Sequence, residues 1–190
     1  MAYETILVEK KDGVCKITFN RPQVLNAFNP QMSDELTALV KEIAADKEVR
    51  VVVFTASGDR AFMAGADIDK TILHWVEMTK KGSRVRDDHE RYFSPTMLEE
   101  LPQPVIAAIN GLTLGGAFVL AIACDLKVAS ENAQFGMLQV KRGLIPDGGG
   151  TYLLPRTVGL TKALELALIG DMVDAREAER IGLVNKVVPH

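Results

Sequence analysis

The sequence contains few of the residues that build metal sites, disulfide frameworks or membrane spans. It has two cysteines and three histidines among 190 residues, and they form no cluster with metal-ligand spacing. The longest apolar stretch, residues 112–124, is interrupted by glycines and is too short to cross a bilayer. A G-x-S-x-G motif is also absent. We therefore expect no metal ion, no membrane span and no serine-hydrolase nucleophile.

The sequence also lacks an excess of charge of one sign. It has 22 Lys and Arg against 25 Asp and Glu, a net charge of -3, and no basic block, so we expect no nucleic-acid partner. Cys15 and Cys124 lie in apolar runs, which is typical of buried free thiols, although their positions alone leave a disulfide open. Residues 1–10 contain Glu4 and Glu9 and no signal-peptide core, so we expect a cytoplasmic protein.

Strands and helices alternate along the chain, which predicts an α/β fold in a single domain over residues 1–190. The unbroken apolar runs at residues 51–55 and 105–109 are typical of strands covered on both faces. The other predicted strands cover residues 14–19, 126–129 and 183–188, and the predicted helices begin near residues 30, 116, 160 and 175.

Three of these helices have recognisable start signals. Asn29 precedes a proline at the first helical position of the first helix. Thr161 is the expected cap of the helix that begins near residue 160. Asp174 and Glu177 have the spacing of a capping box, which predicts a short helix directly after Asp174.

Residues 71–100 differ from the rest of the chain because charged residues dominate them. A few large apolar residues, such as Trp75 and Phe93, are interspersed among these charges. We expect a charged helical insert within the domain. It is either a mobile lid over a ligand or a solvated helical connection.

Two short segments rich in small residues indicate a site made of backbone N–H groups. Residues 61–68 read AFMAGADI, and residues 110–117 read NGLTLGGA. Small residues allow a ligand to approach the backbone closely. Two N–H groups directed at one carbonyl oxygen stabilise the negative charge that grows there in enolate or tetrahedral chemistry. Each segment alone is also compatible with tight helix–sheet packing.

Together with three further motifs, these segments resemble the crotonase (enoyl-CoA hydratase/isomerase) superfamily. Residues 20–27 (NRPQVLNA) look like the N-R-P-x-x-x-N-A segment of that superfamily. Residues 104–111 (PVIAAING), followed by Gly115 and Gly116, are similar to its second oxyanion motif. Residues 145–151 (IPDGGGT) and 182–184 (GLV) match later landmarks in the same order.

The resemblance implies a spiral of ββα units and an acyl-CoA ligand. The thioester oxygen would be held by the N–H groups of Ala66 and Gly116, with coenzyme A as part of the substrate and no separate cofactor. The residues implied to contact coenzyme A are Val24, Leu25, Ala64, Ala66, Asp67, Ile68, Gly115 and Gly116.

The resemblance also concerns the end of the chain and its assembly. Members of the superfamily usually continue into C-terminal helices that help to form a homotrimer, often paired into a hexamer. The 190 residues do not reach as far as those helices, so we expect the core of the fold without them. We therefore expect the apolar surface that they would cover to be exposed or covered by another subunit.

The sequence departs from the hydratase pattern at the positions that move protons. Hydratases of this superfamily use two glutamates, and the matching positions here are Val119 and Gln139. Neither residue acts as a base near neutral pH, so we expect little ordinary hydratase activity. Asp147 stands where hydratases usually have glycine, and dienoyl-CoA isomerases and 4-chlorobenzoyl-CoA dehalogenases place a working aspartate there. Asp147 is either a catalytic carboxylate or a turn residue.

Two functions follow from this pattern. The first is an acyl-CoA enzyme that stabilises a thioester enolate at Ala66 and Gly116 and performs isomerase, lyase or hydrolase chemistry with Asp147 and Gln139. The alternative is a catalytically silent subunit that binds coenzyme A or supports an assembly. RNA binding, known in one branch of the superfamily, is disfavoured by the acidic balance of charge.

Overall fold

Apolar strands form two β-sheets, and the chain alternates between them. The computed structural model describes residues 3–81 and 93–190. In these residues the strands are β1 (Ile6–Lys11), β2 (Val14–Phe19), β3 (Val51–Ala56), β4 (Ala61–Met63), β5 (Val105–Ile109), β6 (Leu112–Leu114), β7 (Leu126–Ser130), β8 (Gln134–Gly136), β9 (Val173–Asp174) and β10 (Lys186–Val188). The helices are α1 (Pro30–Ala45), α2 (Leu73–Lys80), α3 (Gly116–Ala123), α4 (Gly150–Val158), α5 (Leu160–Ile169) and α6 (Ala175–Arg180).

The order of the strands shows a repeated ββα unit. The larger sheet has the order β1-β2-β3-β5-β7-β10, and the smaller sheet has the order β4-β6-β8-β9. Strands β3, β5 and β7 of the larger sheet are each followed by one strand of the smaller sheet and then by a helix. Each unit therefore adds one strand to both sheets, which confirms the predicted α/β fold and the ββα spiral.

Both sheets are largely parallel. In the larger sheet, only the pairing of β1 with β2 is antiparallel among the described strands. In the smaller sheet, β4, β6 and β8 are parallel and β9 is antiparallel to β8. The parallel strands of each sheet therefore end at a common edge.

Aromatic side chains join the two sheets in the core. Phe19 on β2 stacks against Phe54 on β3, with ring centroids 5.7 Å apart. The ring of Phe62 on β4 meets Phe19 edge-on at 5.2 Å. All three side chains are fully buried, and burial of this size is the main source of stability in such a core.

The local start signals of the helices are mostly confirmed. The side chain of Asn29 accepts a hydrogen bond from the N–H of Met32 at 2.9 Å, and Asp174 accepts one from the N–H of Glu177 at 2.8 Å. The cap predicted at Thr161 is wrong, because α5 begins at Leu160 and Gly159 precedes it with a φ of 79°. Glycine tolerates this backbone conformation without the strain that a side chain would cause.

Two predictions about strands need correction. The last strand begins at Lys186 rather than at Leu183. The N–H groups of Leu183 and Val184 both donate to the carbonyl of Ala178 within α6, so these two residues are still hydrogen-bonded to the end of that helix. Strand β3 has one fully buried face, whereas Val51 and Val53 on its other face are only half-buried. The apolar run therefore did not indicate full cover on both sides.

Most of the described residues within the predicted insert at residues 71–100 lie in helices. A π-helical turn (Ile68–Ile72) leads into α2, and a 3₁₀ helix covers Pro95–Glu100. Residues 82–92 lie outside the described residues, so the alternatives of a lid and a solvated connection are left open. No helix in the described part of the chain is both long and apolar enough to span a membrane.

Both cysteines are free and buried. Cys124 directly follows α3, and its burial raises the pKa of the thiol to about 12. The ammonium group of Lys127 donates to the carbonyl of Cys124 at 3.2 Å, and burial lowers the pKa of this lysine. The prediction of free thiols is therefore confirmed. Neither cysteine lies in the segments that the sequence marks as functional.

Candidate active site

The three segments with predicted functional residues leave the same edge of the smaller sheet. Strand β4 pairs with β6, and β6 pairs with β8, all in parallel. Ala66, Gly116 and Gln139 each follow the carboxyl end of one of these strands. The carboxyl edge of parallel strands is where α/β sheets usually bind ligands, because the chain leaves the sheet there as loops and helix starts.

The segment after β4 has its backbone fixed by Phe28. The N–H of Phe28 donates to the carbonyl of Gly65, and the N–H of Asp67 donates to the carbonyl of Phe28, both at 2.8 Å. In this parallel bridge the N–H of Ala66, which lies between the two bonded groups, points away from Phe28. Gly65 has a φ of +91°, and a Cβ there would lie 3.0 Å from the carbonyl oxygen of Leu114. This close approach connects the first segment to the end of β6.

The segment after β6 presents the first turn of α3. The N–H of Gly115 donates to the carbonyl of Gly136 at 2.9 Å, which ties the end of β6 to the end of β8. Gly116 is the first residue of α3, so its N–H has no acceptor within the helix. A Cβ on Gly116 would meet no described atom within 4 Å, so open space lies in front of this residue.

Neither the N–H of Ala66 nor that of Gly116 donates to an acceptor within residues 3–81 and 93–190. The N-terminus of α3 adds the positive end of a helix dipole. Unpaired N–H groups at such a position attract a partial negative charge on a ligand oxygen. The arrangement is therefore chemically suited to hold an oxyanion.

An ion pair that sequence reasoning missed connects the motif at residues 20–27 to the segment after β4. The guanidinium of Arg21 lies 3.0 Å from Oδ2 of Asp67, and both side chains are nearly buried. A second nitrogen of Arg21 donates to the carbonyl of Ala27. The side chain of Asn26 accepts from the N–H of Arg21 and donates to the carbonyl of Ala61. The one available signal was an arginine inside an otherwise uncharged motif.

Several of the residues implied to contact coenzyme A belong to the two segments that this ion pair joins. Ala64 donates its N–H to the carbonyl of Leu25 at 3.0 Å. Val24 and Ile68 are 40% and 50% exposed, so their apolar side chains are accessible next to the segment. Asp67 is committed to Arg21 and to the N–H of Lys70, at 3.2 Å. The structure thus brings these residues together, while their contact with a ligand stays a prediction.

The segment after β8 brings Gln139 to Asp147. Nε2 of Gln139 donates to Oδ1 of Asp147 at 3.1 Å. Gln139 is buried and its Oε1 has no hydrogen-bond partner among the described residues, whereas Asp147 is exposed. The backbone carbonyl of Asp147 closes a turn by accepting from the N–H of Gly150 at 2.8 Å. The side-chain carboxylate of Asp147, in contrast, accepts its hydrogen bond from Gln139.

Val119 forms an apolar wall beside this turn. Its side chain is fully buried on α3. Its two methyl groups would lie 3.6 Å and 3.1 Å from Cβ atoms built on Gly148 and Gly150, respectively. The structure therefore places Val119 next to the turn that carries Asp147, where it contributes shape and no proton.

Comparison with known proteins agrees with this fold. Residues 9–190 match the sequence profile of the family described as enoyl-CoA hydratase/isomerase. Similar proteins include a crotonyl-CoA hydratase of Syntrophomonas wolfei, 40% identical over 99% of this chain and 70% of the relative. A 1,2-epoxyphenylacetyl-CoA isomerase of Escherichia coli is 38% identical over 97% of this chain and 70% of the relative.

Solved structures show the same similarity. A putative enoyl-CoA hydratase of Streptomyces coelicolor A3(2) superposes with a TM-score of 0.90 at 35% identity, over 100% of this chain and 68% of that one. An enoyl-CoA hydratase of Bacillus anthracis gives a TM-score of 0.85 at 36% identity, over 98% and 70%. The resemblance to the crotonase superfamily is confirmed, and this chain belongs to the enoyl-CoA hydratase/isomerase family.

Proposed function

We propose that this protein is an enzyme acting on an acyl-CoA thioester, whose enolate is stabilised by the N–H groups of Ala66 and Gly116. Asp147 moves a proton to or from the acyl group, in isomerase, lyase or hydrolase chemistry rather than simple hydration. The reaction requires no cofactor besides the coenzyme A of the substrate. The proposal is supported by the two unpaired N–H groups and by the carboxylate that Gln139 holds at the same edge of the sheet.

The chemistry depends on where negative charge develops. Removal of an α-proton from a thioester transfers the electron pair of the C–H bond towards the thioester oxygen. Two fixed N–H donors and the N-terminus of α3 stabilise that oxygen without reorganisation, an effect that is typically the largest single term in such reactions. A single missing donor costs about 100- to 1000-fold in rate in comparable sites.

The observation that carries the choice of reaction is the contact between Gln139 and Asp147 beside Val119. A hydratase must orient water and transfer its proton, and neither valine nor a glutamine amide titrates near neutral pH. Asp147 is the one carboxylate at this place in the described structure, and its Oδ1 is held by Gln139 at 3.1 Å. One carboxylate is sufficient to carry a proton between two carbon atoms of the acyl chain.

Exchange of the α-protons of butyryl-CoA in D₂O tests this function without knowledge of the natural acyl group. We expect mass spectrometry to show deuterium uptake that requires the protein, and Asp147→Asn to slow the uptake by about 100-fold or more. Asp171→Asn is the matched control, because Asp171 is an exposed aspartate whose carboxylate pairs with the exposed side chain of Lys141. Undiminished exchange in Asp147→Asn would contradict the assigned role.

Crotonyl-CoA provides the complementary test of hydration. We expect the wild-type protein to hydrate crotonyl-CoA far more slowly than a hydratase with two glutamates does. Hydration at a rate typical of hydratases would show that Val119 and Gln139 do not limit this chemistry, and the preference for isomerase or lyase chemistry would then be wrong.

A catalytically silent binding or assembly subunit is the alternative function. It is favoured by the exposure of Asp147 and by apolar side chains on the surface of α5, where Leu160 and Leu168 are 64% and 67% exposed. A protein that binds butyryl-CoA but exchanges no α-proton and turns over no acyl-CoA in a broad panel would fit this alternative.

Self-association forms part of the proposal, since exposed apolar patches of this kind mark interaction surfaces. We propose a homotrimer, or a hexamer built from two trimers. Sedimentation equilibrium gives the molar mass directly, and a monomer at all concentrations would exclude the proposed assembly.

A further inference from the structure

Gln139 makes only half of the hydrogen bonds that its buried amide can form. Its side chain is 8% exposed. Nε2 donates to Oδ1 of Asp147, and Oε1 is enclosed without a partner among the described residues. Leaving a buried polar atom without a partner destabilises the folded state.

The carboxylate of Asp147 determines how this amide is oriented. Rotating the amide by half a turn would place Oε1 against Oδ1, and two acceptors at 3.1 Å repel each other. The nitrogen of Gln139 therefore faces Asp147. The carboxylate is held by one oxygen, and its second oxygen, Oδ2, has no hydrogen-bond partner within residues 3–81 and 93–190.

Packing alone does not account for an amide at this position. Gln103 provides the comparison, because it is also buried with an unpaired Oε1. The amide of Gln103 donates to the carbonyls of Ile43 and Asp46 at the end of α1, so it has a structural task. The amide of Gln139 instead donates only to an exposed carboxylate. A methionine would fill the same volume without the cost of the unpaired oxygen.

We propose that Gln139 is a positioning residue for Asp147: its amide nitrogen holds Oδ1 of the carboxylate and leaves Oδ2 to accept the proton of the substrate. On this proposal Gln139 has a task of its own, different from that of a proton-transferring glutamate. The inference rests on the proposed function, because it assumes that Asp147 moves the proton.

Among the described residues, the side chains nearest to the glycines of the Asp147 turn have no titratable group. They are Val119 of α3, Pro95 and Thr96 of the 3₁₀ helix before β5, Met137 and Leu153. Charged neighbours on the segment that carries Gln139 are Lys141, which pairs with Asp171 at 3.2 Å, and Arg142.

Gln139→Met tests the positioning role through the exchange of the α-protons of butyryl-CoA. We expect the maximal exchange rate to fall about 10- to 100-fold, as expected for a misplaced catalytic group, with little change in the KM for butyryl-CoA. The melting temperature should stay equal or rise, because the unpaired oxygen is removed. Gln103→Met is the matched control and should lower the melting temperature without changing the exchange rate.

Gln139→Glu separates positioning from mere bulk. At acidic to neutral pH, the introduced carboxyl group and that of Asp147 would share one proton, and the protonated carboxyl would donate to Asp147 as the amide does. At higher pH the shared proton is lost, the two carboxylates repel each other and positioning fails. We therefore expect this variant to gain a decrease in exchange rate on the alkaline side of its pH profile, which the wild type lacks because glutamine does not titrate.

The outcomes distinguish the inference from the proposed function. If Asp147→Asn loses exchange while Gln139→Met keeps the wild-type rate, or Gln139→Glu keeps the wild-type pH profile, the positioning role is wrong and the function stands. If Asp147→Asn keeps exchange, the proposed function fails. A crystal structure of Gln139→Met then decides the contact itself: an unmoved Asp147 carboxylate overturns the inference, and a displaced carboxylate supports it.

Discussion

Gly116→Ala should have opposite effects on the stability of the fold and on activity, because the added methyl group suits the helix but occupies space that a ligand needs. Gly116 has an ordinary helical φ, and an added Cβ would meet no described atom within 4 Å. Replacing glycine by alanine in a helix stabilises a protein by about 0.5–1 kcal/mol, because the unfolded chain loses conformational freedom. For a domain of this size we expect the melting temperature to rise by about 1–4 °C.

In the proposed function, a thioester oxygen must reach the N–H of Gly116, and the same methyl group would occupy open space beside that N–H. We therefore expect Gly116→Ala to lose about 100-fold or more in the rate of α-proton exchange in butyryl-CoA, the effect of losing one oxyanion donor. Gly65→Ala is the counterpart, because its φ of +91° and a contact of 3.0 Å with the carbonyl of Leu114 predict a loss of stability. A Gly116→Ala protein that is more stable and fully active would refute the claim that a ligand oxygen needs the open space in front of Gly116.

Two further predictions concern stability. Arg21→Met leaves the nearly buried carboxylate of Asp67 without its ion-pair partner, so we expect the free energy of unfolding to fall by about 3–5 kcal/mol in urea denaturation. Lys10→Met is the control, because it removes an ion pair at the surface. A loss below about 1 kcal/mol in Arg21→Met would contradict a buried pair. Because burial raises the pKa of Cys124 to about 12, stability should fall as pH rises from about 8.5 towards about 12, by about 2 kcal/mol at pH 10. Cys124→Ala should remove this part of the fall, and an unchanged pH dependence in that variant would count against the assignment.

Local patterns in the sequence were sufficient where the determining contacts are local. Strand β2 has the predicted bounds Val14–Phe19, and the caps at Asn29 and Asp174 depend on neighbours within three residues. Strands β4, β6 and β8 were not predicted, because three residues carry too little periodicity to be distinguished from loops. These strands exist because the larger sheet brings them together.

In the candidate site, too, only the features that depend on neighbouring residues could be predicted from the sequence. The glycines and alanines around Ala66 and Gly116 were visible as motifs, and so was the unusual carboxylate Asp147. The ion pair of Arg21 with Asp67 was not visible, since 46 residues separate its members. The hydrogen bond of Gln139 to Asp147 also escaped prediction, because each residue was considered separately and nothing in a pattern of single residues indicates that one holds the other.

The proposed site draws on three successive ββα units, and their order also determines when the site can form during synthesis. Ala66, Gly116 and Asp147 follow β4, β6 and β8 in turn, so a growing chain has no complete site until the third unit has left the ribosome and docked. A ligand that requires all three segments cannot stabilise the earlier, incomplete sheets. While the chain is incomplete, the earlier units therefore depend on their own packing, or on chaperones, to avoid misfolding. The contacts among Phe19, Phe54 and Phe62 already belong to that packing.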